Sequence, residues 1–162
     1  MYDQKSVQIA NKTNRSHGSV GANAIVPRIV RQICTKEQTI LDFGSGRLAL
    51  HAQKLTDEGY HCTAHEFGAN ANVLHDPEAL NTPHDVVYMS NVLNVQSSTD
   101  MLRKTLSDAF GALKEGGILI ANYPQSPRKA GLSTKDMSEM LRFCGKVERV
   151  KSKGNVVFKV TK

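Results

Sequence analysis

The chain contains no tryptophan, and its aromatic residues make up only 6% of 162 positions. So few rings argue against a protein organised around aromatic platforms that stack on bases. Cysteine is scarce too: Cys34, Cys62 and Cys144 are scattered, odd in number and free of any CxxC or His-paired spacing. This argues against both a disulfide framework and a zinc site, and it suits a reducing cytoplasm. No apolar run approaches the ~20 residues that a membrane-spanning helix needs. The opening Met-Tyr-Asp-Gln-Lys-Ser lacks the basic-then-apolar layout of a secretory signal. Internal repeats and low-complexity tracts are absent.

What remains is ordinary for a globular domain: 40% hydrophobic and 22% charged residues, in a length that suits one core. The net charge of +6 is unevenly placed. Residues 1–36 carry six Lys/Arg against Asp3 alone, residues 37–127 carry five against eleven acids, and residues 128–162 carry ten against three. A basic–acidic–basic chain suits two ends converging on an anionic partner such as a nucleic acid or nucleotide; the plainer alternative is solvated surface lysine. The small size leaves a homo-oligomer open.

Residues 1–19 form a polar lead segment, expected to be mobile without ligand, and residues 20–162 form the domain. Ile25, Ile29, Val30 and Ile33 recur at helical spacing, with Pro27 near the start. Thr39–Phe43 is an apolar run ending in Gly44-Ser45-Gly46, the pattern of a buried strand entering a tight turn. A helix is expected over Arg47–Glu58, burying Leu48, Leu50 and Leu55, then strands over His61–Phe67, Val73–His75 and Asp85–Ser90. Asp100–Lys114 is an amphipathic helix carrying Leu102, Leu106, Ala109, Phe110 and Leu113 on one face. Ile118–Tyr123 is a strand, Ser133–Phe143 a helix capped by Ser133, and Lys146–Lys162 two strands joined around Ser152–Asn155. Alternating strands and helices predict an α/β fold: a doubly wound, mostly parallel, Rossmann-like sheet, with one antiparallel strand near the C-terminus because a terminal hairpin cannot be parallel throughout.

Such sheets bind ligands beyond the carboxyl ends of their strands. The first strand delivers Asp42-Phe43-Gly44-Ser45-Gly46 there, and Glu66 follows 24 residues after Asp42, placed to accept ribose hydroxyls. Gly44, Gly46 and Ala49 also satisfy a dinucleotide pattern. Asp42 decides between the two, because a carboxylate at this turn repels a pyrophosphate and attracts the sulfonium and ammonium of S-adenosylmethionine.

Four stretches, ILDFGSGRLAL, TAHEF, DVVYMSNVLN and ALKEGGILIANYP, resemble in order and spacing the motifs of class I S-adenosylmethionine-dependent methyltransferases. The resemblance covers roughly residues 39–123 and implies methyl transfer from that cofactor. It implies Asp42, Gly44, Ser45 and Gly46 around the methionine moiety, Glu66 on the ribose, Phe67 beside the adenine with Asp76 as its amino partner, and Ser90-Asn91 under the methyl donor. The chain departs from the family in three places. Leu48 stands where a third glycine is frequent. Only 18 residues separate Glu66 from Asp85, so the usual helix after the second strand is expected to be missing or reduced to a turn. The fourth motif lacks the Pro-Pro signature of amino-methylating DNA enzymes, and Asn122-Tyr123-Pro124 follows the wrong strand to supply it.

For the acceptor side, Asn91, Asn94 and Tyr123 are the polar candidates near the strand ends, and His17 in the lead segment is the candidate general base. None of the six histidines pairs at metal-ligand spacing. Arg15, Arg128, Lys129, Lys151 and Lys153 are expected at the rim of the site, which favours a nucleic acid or nucleotide as acceptor. A small-molecule acceptor, or a non-catalytic binding module on the same fold, are the alternatives.

Overall fold

Apolar residues spaced by two in short runs, and by three or four in longer ones, dictate strands and helices that share two hydrophobic faces. The computed structural model describes residues 24–124, 132–150 and 155–162, together with Lys5. The elements run α1 (Ile25–Ile33), β1 (Thr39–Phe43), α2 (Leu50–Asp57), β2 (His61–His65), β3 (His84–Met89), α3 (Thr99–Gly111), β4 (Leu113–Pro124), α4 (Thr134–Arg142), β5 (Lys146–Val150) and β6 (Asn155–Thr161). The six strands form one sheet in the order β2-β1-β3-β4-β6-β5. β2, β1, β3 and β4 are mutually parallel, while β6 runs antiparallel to both β4 and β5. β6 is therefore the one reversed strand that the terminal hairpin pattern predicts.

Helices cover both faces of the sheet. Val26, Ile29 and Val30 of α1 join Leu55 of α2 against Ile40, Val86, Tyr88 and Ile120. On the other face, Leu102, Leu106 and Phe110 of α3, with Met137 and Leu141 of α4, pack on Leu41, Val87, Leu119 and Phe158. Side chains alternate across the pleat, so Leu41 and Phe43 point to the α3 face and Asp42, between them, to the α1 face. Ser98 and Ser133 accept N–H bonds from Met101 and Asp136 at 3.1 and 3.0 Å, and so fix where α3 and α4 begin.

Four expectations are corrected. Val73–His75 is a turn and not a strand, because Asn72 and His75 capture the local N–H groups; Val73 is 100% exposed. β2 stops at His65 and leaves Glu66 and Phe67 beyond it. α2 starts at Leu50, since Gly46 and Ala49 both hold positive φ (82° and 47°) and prolong the turn. Leu48 and Leu50 are consequently exposed, and Leu55 anchors that helix. Leu113 belongs to β4, whose residues 114–117 bulge opposite Asp85, between the pairs His84–Leu113 and Val86–Ile118. The lead segment, and the turn expected around Ser152–Asn155, lie outside the described residues except for Lys5 and the Asn155 backbone. Among the described residues, no helix is long and apolar enough to cross a membrane.

The glycines of this region separate two effects. A Cβ on Gly117 would lie 2.8 Å from the Lys114 carbonyl and 2.9 Å from that of Asp85, whereas one on Gly111 meets nothing within 4 Å. Gly117→Ala is expected to destabilise the chain by about 1–3 kcal/mol. Gly111→Ala, at the end of α3, is expected to stabilise it by up to about 1 kcal/mol. Urea unfolding midpoints of the two variants check both signs.

Candidate functional site

The chain order reverses beside β1: β2 flanks it on one side and β3 on the other, which opens a crevice beyond their carboxyl ends. The turn leaving β1 hangs on the end of β2, with the Gly44 and Ser45 N–H groups donating to the His65 carbonyl at 3.0 and 2.9 Å. Gly44 and Gly46 both have positive φ, yet their surroundings differ. A Cβ on Gly44 would meet Val92 at 2.8 Å and Phe67 at 3.2 Å, so packing requires this glycine. A Cβ on Gly46 would stand in open space, with no atom within 4 Å. The Ser45 hydroxyl makes only a long 3.4 Å contact with the Gly46 carbonyl.

Two carboxyl groups border this turn. Glu66 accepts the Gly46 N–H through Oε2 and the Phe67 N–H through Oε1, both at 2.7 Å. Burial pushes its pKa up and the two N–H bonds pull it back, leaving it raised. Asp42 is only 2% exposed, and Tyr88 of β3 donates its O–H to Oδ2 at 2.6 Å. Burial raises the Asp42 carboxyl to about 7; the Tyr88 hydrogen bond opposes this and the Glu66 charge adds to it. The Cys62 thiol is also pushed up, by burial first and then by Asp42.

On the acceptor side, Asn91 holds a left-handed φ of 58°. Asn122 of β4 locks it, accepting the Asn91 N–H at 2.7 Å and donating its amide to Asn91 Oδ1 at 2.8 Å. Ser90 lies half-buried beside Asn91, and the Asn94 Oδ1 is buried without a hydrogen-bond partner among the described residues. Tyr123 is buried and donates its O–H to the Leu132 carbonyl at 2.6 Å, which ties β4 to the start of α4. Phe67 packs edge-on against Phe43 and His65, with centroids 5.3 and 5.1 Å away. Asp76 is exposed; its N–H donates to the Ala64 carbonyl at 2.9 Å and its carboxylate accepts the Glu78 N–H at 2.9 Å. His17, Arg15, Arg128, Lys129, Lys151 and Lys153 lie outside the described residues.

Sequence reading missed Tyr88, Asn122, Asn72 and His75. A phenol inside the apolar run Asp85–Met89 is a signal in retrospect, because a buried O–H requires an acceptor. Its register opposite Asp42 came only with the sheet.

The raised Asp42 carboxyl makes a testable statement about stability. With its pKa near 7 in the folded chain and about 3.9 in the unfolded one, the unfolded state ionises first. Stability is therefore lost as pH rises from about 4 to about 7, and the loss is constant above that. Asp42→Asn keeps an acceptor for Tyr88 and removes the penalty. Its stability is expected to match the parent near pH 4 and to exceed it by on the order of 4 kcal/mol at pH 8. Denaturation curves at the two pH values check this.

No protein-family model and no curated protein matches the chain. Solved structures do. The chain superimposes over 100% of its length on 91% of 1,6-didemethyltoxoflavin-N1-methyltransferase from Burkholderia thailandensis, with a TM-score of 0.65 and 15% identity. It matches a TehB-like S-adenosylmethionine-dependent methyltransferase from Corynebacterium glutamicum over 98% of both chains, with a TM-score of 0.65 and 15% identity. Magnesium protoporphyrin IX methyltransferase from Synechocystis follows the same course over 98% of this chain and 83% of its own, at a TM-score of 0.60 and 12% identity. With its reversed β6 and its crevice beside β1, the chain has the Rossmann-like fold of the class I S-adenosylmethionine-dependent methyltransferases.

Proposed function

We propose that the chain is an S-adenosylmethionine-dependent methyltransferase with a small-molecule acceptor. The observation that carries the cofactor assignment is the pair of carboxyl groups at the ends of β1 and β2, Asp42 buried beside Tyr88 and Glu66 bonded to the Gly46 N–H, next to a turn whose Gly46 is unobstructed where a Cβ would stand. A nucleoside bearing positive charge fits that donor set, whereas a dinucleotide would bring its phosphates against Asp42. The cofactor supplies an electrophilic methyl group on a sulfonium. In this reading Glu66 binds the ribose hydroxyls while keeping its bond to Gly46, Phe67 packs against the adenine, and Asp76 meets its amino group. Asp42 answers the positive charge of the methionine moiety. Transfer of a methyl group is an in-line displacement, so orientation supplies much of the rate. Asn91, held by Asn122, and Ser90 then line the methyl side, with Tyr123 behind them.

The acceptor class rests on two observations. The Burkholderia enzyme, matched over nearly its whole length, holds bound 1,6-didemethyltoxoflavin and S-adenosylhomocysteine, and the Synechocystis enzyme is named for magnesium protoporphyrin IX. A second reading, a nucleotide or nucleic acid acceptor, is favoured by the charge of residues 128–162, where ten basic residues face three acids. His17 would serve as general base in either reading. Intact Asp42 and Glu66 argue against a module that has lost cofactor binding.

S-adenosylhomocysteine is expected to raise the melting temperature of the chain, and NAD to leave it unchanged. Asp42→Ala and Glu66→Ala are each expected to weaken S-adenosylhomocysteine binding at least tenfold, about 1.4 kcal/mol. Stabilisation by NAD alone would overturn the assignment. Incubation of a cell extract with methyl-labelled S-adenosylmethionine is expected to place the label in small molecules. Label in polymer, lost at high salt, would favour the second reading.

A further inference from the structure

Residues 67–83, between Glu66 and β3, contain no strand and no α-helix. The middle of this segment touches the turn through side chains. His75 Nε2 lies 2.8 Å from the Gly46 carbonyl, and the Asn72 amide donates to the Arg47 carbonyl at 2.8 Å. The imidazole has a fixed polarity here: Nδ1 accepts the Asn72 N–H at 3.0 Å, so Nε2 carries the proton and donates to Gly46. Asn72 in turn accepts the Leu74 N–H at 2.9 Å through Oδ1 and the His75 N–H at 3.0 Å through its carbonyl. The two side chains therefore orient one another before either reaches the turn.

The consequence falls on one residue. The Gly46 N–H is held by Glu66 at 2.7 Å, and its carbonyl accepts both His75 at 2.8 Å and the Ala49 N–H at 3.2 Å. Every polar group of Gly46 is thereby engaged on the protein side, while the side where a Cβ would stand is open. A turn built on Gly44 and Gly46 has high intrinsic backbone freedom, and freedom lost on binding weakens affinity. A buried imidazole that fixes the turn in advance removes part of that cost.

We propose that His75 and Asn72 are positioning residues of the cofactor site, a polar clamp that holds the Gly46-Arg47 backbone in its ligand-ready form. This rests on the cofactor reading given above. His75, being buried, carries most of the effect, and the exposed Asn72 supports it.

Two substitutions divide the clamp. His75→Asn retains an acceptor near the Asn72 N–H but is too short to reach Gly46, whereas His75→Gln carries its amide nitrogen about as far out as Nε2. Calorimetric titration of the full chain with S-adenosylhomocysteine is expected to give a Kd raised about tenfold in His75→Asn and within about threefold of the parent in His75→Gln. Hydrogen exchange of the Gly46 amide, followed without ligand, is expected to quicken in His75→Asn and to recover in His75→Gln. Unchanged affinity and exchange in His75→Asn, or equal losses in both variants, would overturn the clamp. Should the His75 variants not fold, Asn72→Ala at an unchanged melting temperature is expected to raise Kd about threefold, and no rise would overturn it. A parent chain that shows no binding at all would instead sink the cofactor reading, and the purpose of the clamp with it.

Discussion

A carboxyl group withdrawn from water at the tip of β1 sets the terms for the site. Asp42 is held by one short hydrogen bond from Tyr88 and feels the charge of Glu66 beyond the end of β2. Burial outweighs the phenol and leaves the group near the midpoint of its titration at neutral pH. A cation arriving beside it draws the carboxyl into its ionised form. A diphosphate would drive it the other way and gain nothing. In the proposed reading, selectivity for a positively charged adenosine compound follows from a charge that the ligand itself calls up.

Everything around Asp42 serves to bring the glycine turn into a fixed relation with it. The parallel β2-β1-β3 register sets Tyr88 opposite Asp42, and the end of β2 holds the turn through the His65 carbonyl. Glu66 reaches back to Gly46 from beyond β2, and His75 closes on the same residue from the short connection that follows. The acceptor side is built in the same manner: Asn122, at the end of β4, holds Asn91 in a left-handed conformation that an unsupported asparagine would adopt only at a cost. Paired polar side chains from neighbouring strand ends fix the backbone on both sides of the crevice.

The fold was largely legible because its strands carry their own punctuation. Thr39–Phe43 is apolar and stops at a glycine, and α4 begins at Ser133, whose hydroxyl caps it. Failures arose where polar side chains override an apolar pattern. Val73-Leu74 looks like a strand fragment, yet Asn72 and His75 take up the N–H groups that a sheet would need. Leu48 and Leu50 look like core, but a turn prolonged through Ala49 faces them outward. Asp42 and Glu66 were readable as a pair of strand-end acids. Their supports, Tyr88 and His75, were not, since both depend on contacts between residues at least 29 positions apart.

The central claim is that binding creates the Asp42 charge, and this is open to direct measurement. Titration calorimetry with S-adenosylmethionine at pH 7, in two buffers of different ionisation enthalpy, counts the protons exchanged on binding. Net proton release on binding is predicted, with the release disappearing in Asp42→Asn. Tight binding by the parent chain with no proton released, or with protons taken up, would contradict the account.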